Sequence, residues 1–572
     1  MTAKQLNGAQ VLIECLKREE VDTIFGYPGG NVIPIFDAIL DSDIKLILTR
    51  HEQGATHAAD GYARVTGKTG VVLVTSGPGA TNTLTGIYTA YMDSIPLVVI
   101  TGQTICPVLG TDAFQESDIS GMSFATVKHS YLVKNSNDLP RIVKEAFYIA
   151  HSGRQGPVLI DLPKDISAGT CAANFVDNVD LPGYKIPSRA EEDHIEQAAA
   201  TIKKSKKPLI LAGHGAAISG AGRAVKELSE KLGAPVSSTL LGLGTFPASH
   251  ELSLGMTGMH GTVAANKAIH ECDLLISIGA RFDDRITAKL SEFAKQCEVI
   301  HIDIDQAEYG KIITPRHFLH GDAKIILEQL LPLVEKLDSA EWLKTINSWK
   351  NKYPMHYPKH GGLRVQHIVQ TLYEVTNGKA IIVTDVGQHQ LWTAQFFKCD
   401  YPGQFLTSGG AGTMGYGFPA SIGAALGNKT GFPVCAVLGD GGFQMTLCEL
   451  ATAYINKLPI KIFVMDNRFL GMVRQWQDMF WSKRYSGVSM EGNPDFVKLA
   501  KAYGIEAFCI SRNADTKRTI EKAMEYNEGP VLIHCECEQE DNVFPMIPPG
   551  ASVDDILIEQ PKEVLEKPTG GT

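Results

Sequence analysis

The 572-residue chain lacks any apolar run approaching the roughly 18 residues that a membrane-spanning helix needs. It also lacks a basic block. Lys and Arg number 53 against 63 Asp and Glu, a formal net charge of -10, which argues against a phosphate-backbone binder and so against nucleic acid as a partner. The 11 cysteines stand singly apart from Cys535 and Cys537, and they offer neither a C-x-x-C redox pair nor zinc-ligand pairs. A cytoplasmic, reducing environment is the expectation. Met1 to Glu20 reads as an amphipathic helix with mixed charges, unlike a secretory signal or an Arg/Ser-rich transit segment. What is abundant is glycine: 55 residues, against the roughly 7% that is average, in clusters without a collagen-like period. Those clusters mark where backbone must approach something closely.

At about 150 residues per domain the length predicts three or four domains. Short apolar runs alternate with longer helical patterns: Val71–Val74, Leu97–Ile100, Val158–Ile160, Leu209–Leu211, Leu274–Ile278, Val299–Ile304, Ile381–Val383, Val434–Leu438, Ile460–Val464 and Val531–Ile533. Such runs indicate parallel sheets covered by helices on both faces. Pro/Gly-rich stretches at 181–189 and 353–362 read as linkers. The fold class expected is therefore α/β, with three doubly wound parallel-sheet domains at 1–180, 190–335 and 360–545, the middle one Rossmann-like, followed by a tail at 546–572. Thr89-Ala-Tyr-Met-Asp-Ser-Ile-Pro-Leu-Val-Val-Ile and Thr452-Ala-Tyr-Ile-Asn-Lys-Leu-Pro-Ile-Lys-Ile-Phe align without gaps, each after a Gly-rich turn, which predicts that the first and third domains are homologous. A ligand between the two halves, within one chain or across a dimer, suits that layout.

The strongest local motif is Gly439-Asp440-Gly441 at the end of one expected strand, followed after 24 residues by Asp466-Asn467 at the end of the next. Parallel strands end on the same side of a sheet, so Asp440 and Asn467 can converge there as hard oxygen donors for Mg²⁺ and a diphosphate. Taken singly, Gly-Asp-Gly is a turn and Asp-Asn a helix cap; the paired spacing favours the metal. This pattern resembles the thiamine diphosphate enzyme signature, with Asp466 where the family usually has Asn. The resemblance implies a thiamine diphosphate-binding fold for the first and third domains, Mg²⁺ ligands from Asp440, Asn467 and the Phe469 carbonyl, and cofactor contacts from Gly441, Gly442, Leu470, Gly471 and Met472. Glu52, which alone would read as a dipole partner at a helix start, matches the family acid that donates to the aminopyrimidine and so activates the cofactor. Val386-Gly387-Gln388-His389 matches a diphosphate segment, and Gly412 and Met414 match the main-chain groups that hold the aminopyrimidine.

Across nearly the whole chain the sequence is similar to the catalytic subunits of the acetohydroxyacid synthase (acetolactate synthase) family, through segments such as Phe25-Gly-Tyr-Pro-Gly-Gly, Gly110-Thr-Asp-Ala-Phe-Gln-Glu, Arg281-Phe-Asp-Asp-Arg and Leu470-Gly-Met-Val-Arg-Gln-Trp. The resemblance implies decarboxylation of pyruvate and transfer of the hydroxyethyl unit to a second pyruvate or to 2-oxobutyrate, the first common step of branched-chain amino-acid synthesis. It gives Gly26, in the Gly-rich turn, an oxyanion-type amide, and places Gln115 and Lys164 near the substrate channel. Arg285 and Trp476 match residues associated with the second keto acid, Trp476 as an apolar wall; alone, Trp476 would read as core. The middle domain has only Gly213-x-Gly215 after a strand, too little for a dinucleotide fingerprint. The resemblance adds FAD with no net redox role, on Arg154, Gly213, Gly215, Thr239, Leu240, Gly258, Met259, His260, Gly279, Arg281, Asp283, Arg285, Asp303, Ile304, Asp322 and Ala323. His214 stands where a run of three glycines is commoner. A homodimer or homotetramer and a small regulatory subunit are the implied partners. A pyruvate oxidase-like flavoenzyme, an FAD-free catabolic synthase and a silent scaffold relative are the rival readings.

Overall fold

The computed structural model describes residues 6–561. Three six-stranded parallel sheets follow one another along the chain. The first holds β1 (Thr23–Tyr27), β2 (Lys45–Leu48), β3 (Gly70–Val74), β4 (Leu97–Gln103), β5 (His129–Leu132) and β6 (Pro157–Pro163), ordered β2-β1-β3-β4-β6-β5. The second holds β7 (Pro208–Ala212), β8 (Val236–Ser238), β9 (Ser253–Met256), β10 (Leu274–Ile278), β11 (Glu298–Asp303) and β12 (His317–His320), ordered β9-β8-β7-β10-β11-β12. This is the Rossmann order, with its switch point between β7 and β10. The third holds β13 (Ile381–Thr384), β14 (Phe405–Leu406), β15 (Val434–Gly439), β16 (Ile460–Asp466), β17 (Glu506–Ile510) and β18 (Val531–Glu536), ordered β14-β13-β15-β16-β18-β17. Strand for strand, this repeats the first sheet, as the duplicated segment predicts.

The central strands are the continuous Val/Ile/Leu runs because both sheet faces are covered; β3, β4, β6, β7, β10, β15 and β16 are buried at every residue. The strands that sequence reading missed are short, at sheet edges, or mixed in polarity, such as β5, β12, β14 and β17. There the continuous apolar run that identifies a buried strand is absent.

Helix α1 (Gly8–Arg18) is shorter than the expected Met1 to Glu20, since Asn7 caps it reciprocally with Gln10; residues 1–5 lie outside the described range. Helix α2 (Glu52–Thr66) begins at the expected glutamate. Helix α3 (His214–Ile218) follows β7, α4 (Gly417–Gly427) and α5 (Asp440–Thr446) flank β15, and α6 (Gly471–Phe480) follows β16. Helices α2 and α4, the same element of each half, pack on one another. A Cβ on Gly61 would lie 2.0 Å from the Ala420 carbonyl oxygen, and one on Gly423 1.7 Å from that of Ala58. Only glycine permits this backbone approach. Both expected linkers are free of helix and strand. The expected tail is packed rather than loose at its start: Met546 and Ile547 are buried, and the Ile547 amide donates to the Met259 carbonyl. Residues 562–572 of it lie outside the described range. No described helix is long and apolar enough to cross a membrane, and the 11 cysteines are free.

Candidate active site

Strands β15 and β16 pair in register from Val434↔Ile460 to Gly439↔Met465, so Asp440 and Asp466-Asn467 emerge side by side at one sheet edge. Asn493 bridges the acids: its Nδ2 donates to Asp440 Oδ2 at 2.7 Å and to Asp466 Oδ1 at 3.0 Å. His534 Nε2 lies 2.9 Å from Asp466 Oδ2. Burial, reinforced by the Asp466 carboxylate, pushes Asp440 up to about 7. Among the described residues no Lys or Arg pairs with Asp440, so two buried carboxylates adjoin without a cation of the protein between them. Arg468 sits in the left-handed region, with φ of 58°, between Asn467 and Phe469. Asn467 Oδ1 accepts from the Phe469 amide at 3.1 Å. The donor set of carboxylate, amide oxygen and main-chain carbonyl fits Mg²⁺.

Around this edge the other expected cofactor residues gather. A Cβ on Gly441 would meet Leu470 Cδ2 at 2.7 Å and Met414 Cε at 3.6 Å, which places the Gly412-Thr413-Met414 loop beside the Gly-Asp-Gly turn. A Cβ on Gly471 would lie 2.2 Å from Gln388 Oε1. The Gln388 side chain is committed within the protein, its Nε2 donating to Gln475 Oε1 at 2.9 Å and to the Asp541 carbonyl at 2.8 Å. His389 Nε2 accepts from the Gly439 amide at 3.2 Å, and burial lowers its pKa to about 4, so it is neutral. Asp385, which sequence reading did not single out, organises the whole loop. Its buried carboxylate accepts from the amides of Val386, Gly415 and Gly417 at 2.9 to 3.1 Å and is pushed up to about 6 by burial.

The first domain presents a second group of residues at its own carboxyl edge. Glu52 opens α2, and its Oε2 accepts from Asn82 Nδ2 at 3.0 Å. Gln115, also left-handed with φ of 59°, backs onto Gly77, where a Cβ would lie 2.9 Å from the Gln115 carbonyl. Lys164 starts the helix after β6. One expectation is corrected: Gly26 lies inside β1, paired to β2 and β3, not in a turn, and its carbonyl accepts from the Thr49 amide at 3.2 Å. The sheet ladder claims that backbone because β1 runs on through Tyr27.

A cavity of about 1340 Å³ lies between the carboxyl edge of the middle sheet and the first and third domains. That exceeds the roughly 300 to 1,000 Å³ usual for small-molecule sites and suits a dinucleotide. Every residue expected to bind FAD lines it except Gly213 and Gly258. Those two are packing positions instead: a Cβ on Gly213 would lie 2.1 Å from the Gly279 carbonyl oxygen, and one on Gly258 2.3 Å from that of Arg285. The Nδ1 of His260, on the cavity wall, is buried without a protein partner. This orphaned polar atom and the Rossmann switch point both fit a bound flavin nucleotide. Val386, Gly412, Met472 and Trp476 line the same cavity. Arg285 reaches Met259 Sδ at 3.7 Å, and Trp476 packs into the cluster of Met259, Met479, Phe480 and Met546. The two residues expected at the second keto acid are thus brought together. Glu52, Gln115 and Lys164 do not line this cavity, and neither do Asp440, Asn467 and Met414.

Each domain matches a thiamine pyrophosphate enzyme model: residues 6–122 the N-terminal TPP binding domain, 195–330 the central domain, and 385–535 the C-terminal TPP binding domain. The acetolactate synthase large subunit of Porphyra purpurea is 46% identical over 571 residues, 96% of each chain. The chain belongs to the acetolactate synthase large subunit family. The family relative from Haemophilus influenzae is 42% identical, covering 98% of this chain and 99% of its own. The chloroplastic acetolactate synthase of Arabidopsis thaliana is 43% identical over 96% of this chain and 84% of its own. Within this family framework the residues that sequence reading missed, Asp93, Asp385 and Asn493, share one trait. Each acts on partners tens or hundreds of residues away. The only local signal was Asp385 closing a strand before Val386-Gly387.

Proposed function

We propose that the chain is the catalytic subunit of an acetolactate synthase, decarboxylating pyruvate and transferring the two-carbon unit to pyruvate or 2-oxobutyrate. The observation that carries this reading is the sheet edge where Asp440 and Asp466-Asn467 emerge beside the Gly412–Met414 loop, whose Gly412 lines the cavity that Trp476 also lines. Thiamine diphosphate supplies, when bound, the electron sink that lets a 2-keto acid lose CO₂ and pass on what remains. Asp440, Asn467 and the Phe469 carbonyl would hold Mg²⁺ against the diphosphate, while the glycines of the turn admit its oxygens to backbone amides. Gly412 and Met414 would orient the aminopyrimidine, and Glu52 would hold a proton for its ring nitrogen. Gln115 and Lys164 position the first keto acid. Arg285 offers a cation to the carboxylate of the second, and Trp476 gives its alkyl group an apolar wall.

Glu52, at the first domain's own carboxyl edge, is read as reaching the cofactor from a second copy of the chain. A second copy is favoured by the exposed apolar side chains flanking Gln115: Phe114 is 88% exposed, Phe124 80% and Met122 55%. Monomers rarely leave such a patch uncovered. We therefore read the active unit as a homodimer or a dimer of dimers, with a small regulatory subunit as further partner. FAD occupies the large cavity without net redox work. Free cysteines favour a reducing compartment such as the cytoplasm.

The test is a product assay. Purified full-length chain supplied with pyruvate, thiamine diphosphate, Mg²⁺ and FAD should form 2-acetolactate, and omission of thiamine diphosphate should abolish it. Acetate or acetyl phosphate with flavin reduction would overturn the reading.

A further inference from the structure

We propose that Asp93 and His214 form a junction through which flavin and thiamine diphosphate reinforce each other's binding, with His214 as the positioning residue. This deepens the cofactor reading above and rests on it. The first turn of α3, directly after β7, is wedged against its neighbour: a Cβ on Gly215 would lie 2.8 Å from Gly279 Cα. The one side chain the Gly213-His214-Gly215 loop can project is His214, whose Nδ1 donates to the main-chain oxygen of Asp93 at 2.9 Å. That bond ties the middle domain to the end of the first domain's helix Leu84–Asp93.

Asp93 then reaches the third domain. Its buried carboxylate accepts from the Gly409 amide at 3.1 Å, the Gly410 amide at 2.7 Å and Arg64 Nη2 at 2.8 Å. Arg64, buried as well, is held from the other side by Asp60 at 2.7 Å, and Asp60 accepts from the Tyr416 hydroxyl at 2.7 Å. From the same helix as Asp93, Thr89 shares a 2.6 Å hydrogen bond with Thr413, between the two residues that hold the aminopyrimidine. Asp93, His214, Gly409, Gly410 and Gly412 all line the large cavity. A flavin filling it orders the residues that set the Gly409–Met414 loop, and a thiamine cofactor fixing that loop orders the same junction from the other end. Each ligand lowers the ordering cost left for the other. H214G would remove the link to Asp93.

Binding is measured on full-length chain freed of cofactors. FAD is followed by flavin fluorescence, and thiamine diphosphate with Mg²⁺ by tryptophan fluorescence, each with the other absent and saturating. Linkage requires equal factors in both directions, and about fivefold or more is expected. H214G should bring the factor to about one, whatever it does to each single affinity, while H214Q, whose amide can donate to the Asp93 oxygen, should restore it. A merely structural role would lower thermal stability without collapsing the factor. Wild-type protein that binds both cofactors with no mutual effect, or H214G with an undiminished factor, overturns the junction and leaves the cofactor assignment standing. Wild-type protein that binds neither cofactor overturns that assignment and the junction with it. The wild-type cycle needs no variant, so a failure of H214G to fold does not remove the test.

Discussion

The first and third domains run six strands in the same order, yet their carboxyl edges carry different chemistry. At the junction after β15 the third domain has Gly439-Asp440-Gly441, with Asp466 and Asn467 on the next strand; at the matching junction after β3 the first has Gly77-Pro78-Gly79 and no acid. Its carboxyl group stands instead at the start of α2, as Glu52. The third half gathers hard oxygen donors that suit a metal and a diphosphate. The first offers a lone acid and the groups that would meet substrate. On the proposed reading the duplicated scaffold divides between holding the cofactor and activating it, while the α2–α4 contact packs the two halves together.

The sharpest way to break this comparison is to remove one acid from each half. E52Q should cost about 100-fold to 10,000-fold in acetolactate formation, the range for a general acid, while leaving Mg²⁺-dependent thiamine diphosphate binding intact by calorimetry. D440N should instead abolish that binding, beyond the roughly 100-fold that loss of an outer-shell metal partner costs. If E52Q released the cofactor, or D440N retained it, the division of labour would be wrong. The α2–α4 contact is next. G423A drives a Cβ into the Ala58 carbonyl and should destabilise the chain by about 1 to 3 kcal/mol in denaturant unfolding, whereas the same change at Gly529, where a Cβ meets nothing within 4 Å and the backbone is not left-handed, should do far less.

Substrate choice is a smaller effect. W476L should lower the preference for 2-oxobutyrate over pyruvate by about tenfold in competition assays, because one methylene is worth only about 1 to 3 kcal/mol; an unchanged product ratio removes Trp476 from that role. A separate effect, on stability rather than on catalysis, is a pH slope present in both halves. Burial pushes Asp161, beside Thr101 and Gln103, up to about 7, and Asp385 up to about 6. A raised folded-state pKa means the native chain binds the proton more tightly than the unfolded one. Stability therefore falls as pH rises from about 4, levelling near 6 for Asp385 and near 7 for Asp161. D385N should erase only the lower part of that slope and D161N the whole span of its own contribution, read as melting temperature against pH.

What could be read from sequence were the features whose cause is local. Buried parallel strands announce themselves as Val/Ile/Leu runs, so ten central strands, both linkers and the duplication are legible, as is the Gly-Asp-Gly to Asn467 spacing. The same locality explains the misplacement of Gly26: a Gly-Tyr-Pro-Gly-Gly string signals a turn, and nothing in it tells where the strand before it ends. Only the tertiary structure decided which groups meet. It linked Asn493 to two acids on separate strands, made Asp385 the clamp of a loop 30 residues on, and joined three domains at Asp93 and His214. Those contacts arise from burial, where an unpaired polar group is too costly to leave unmet and finds its partner across the fold rather than along the chain.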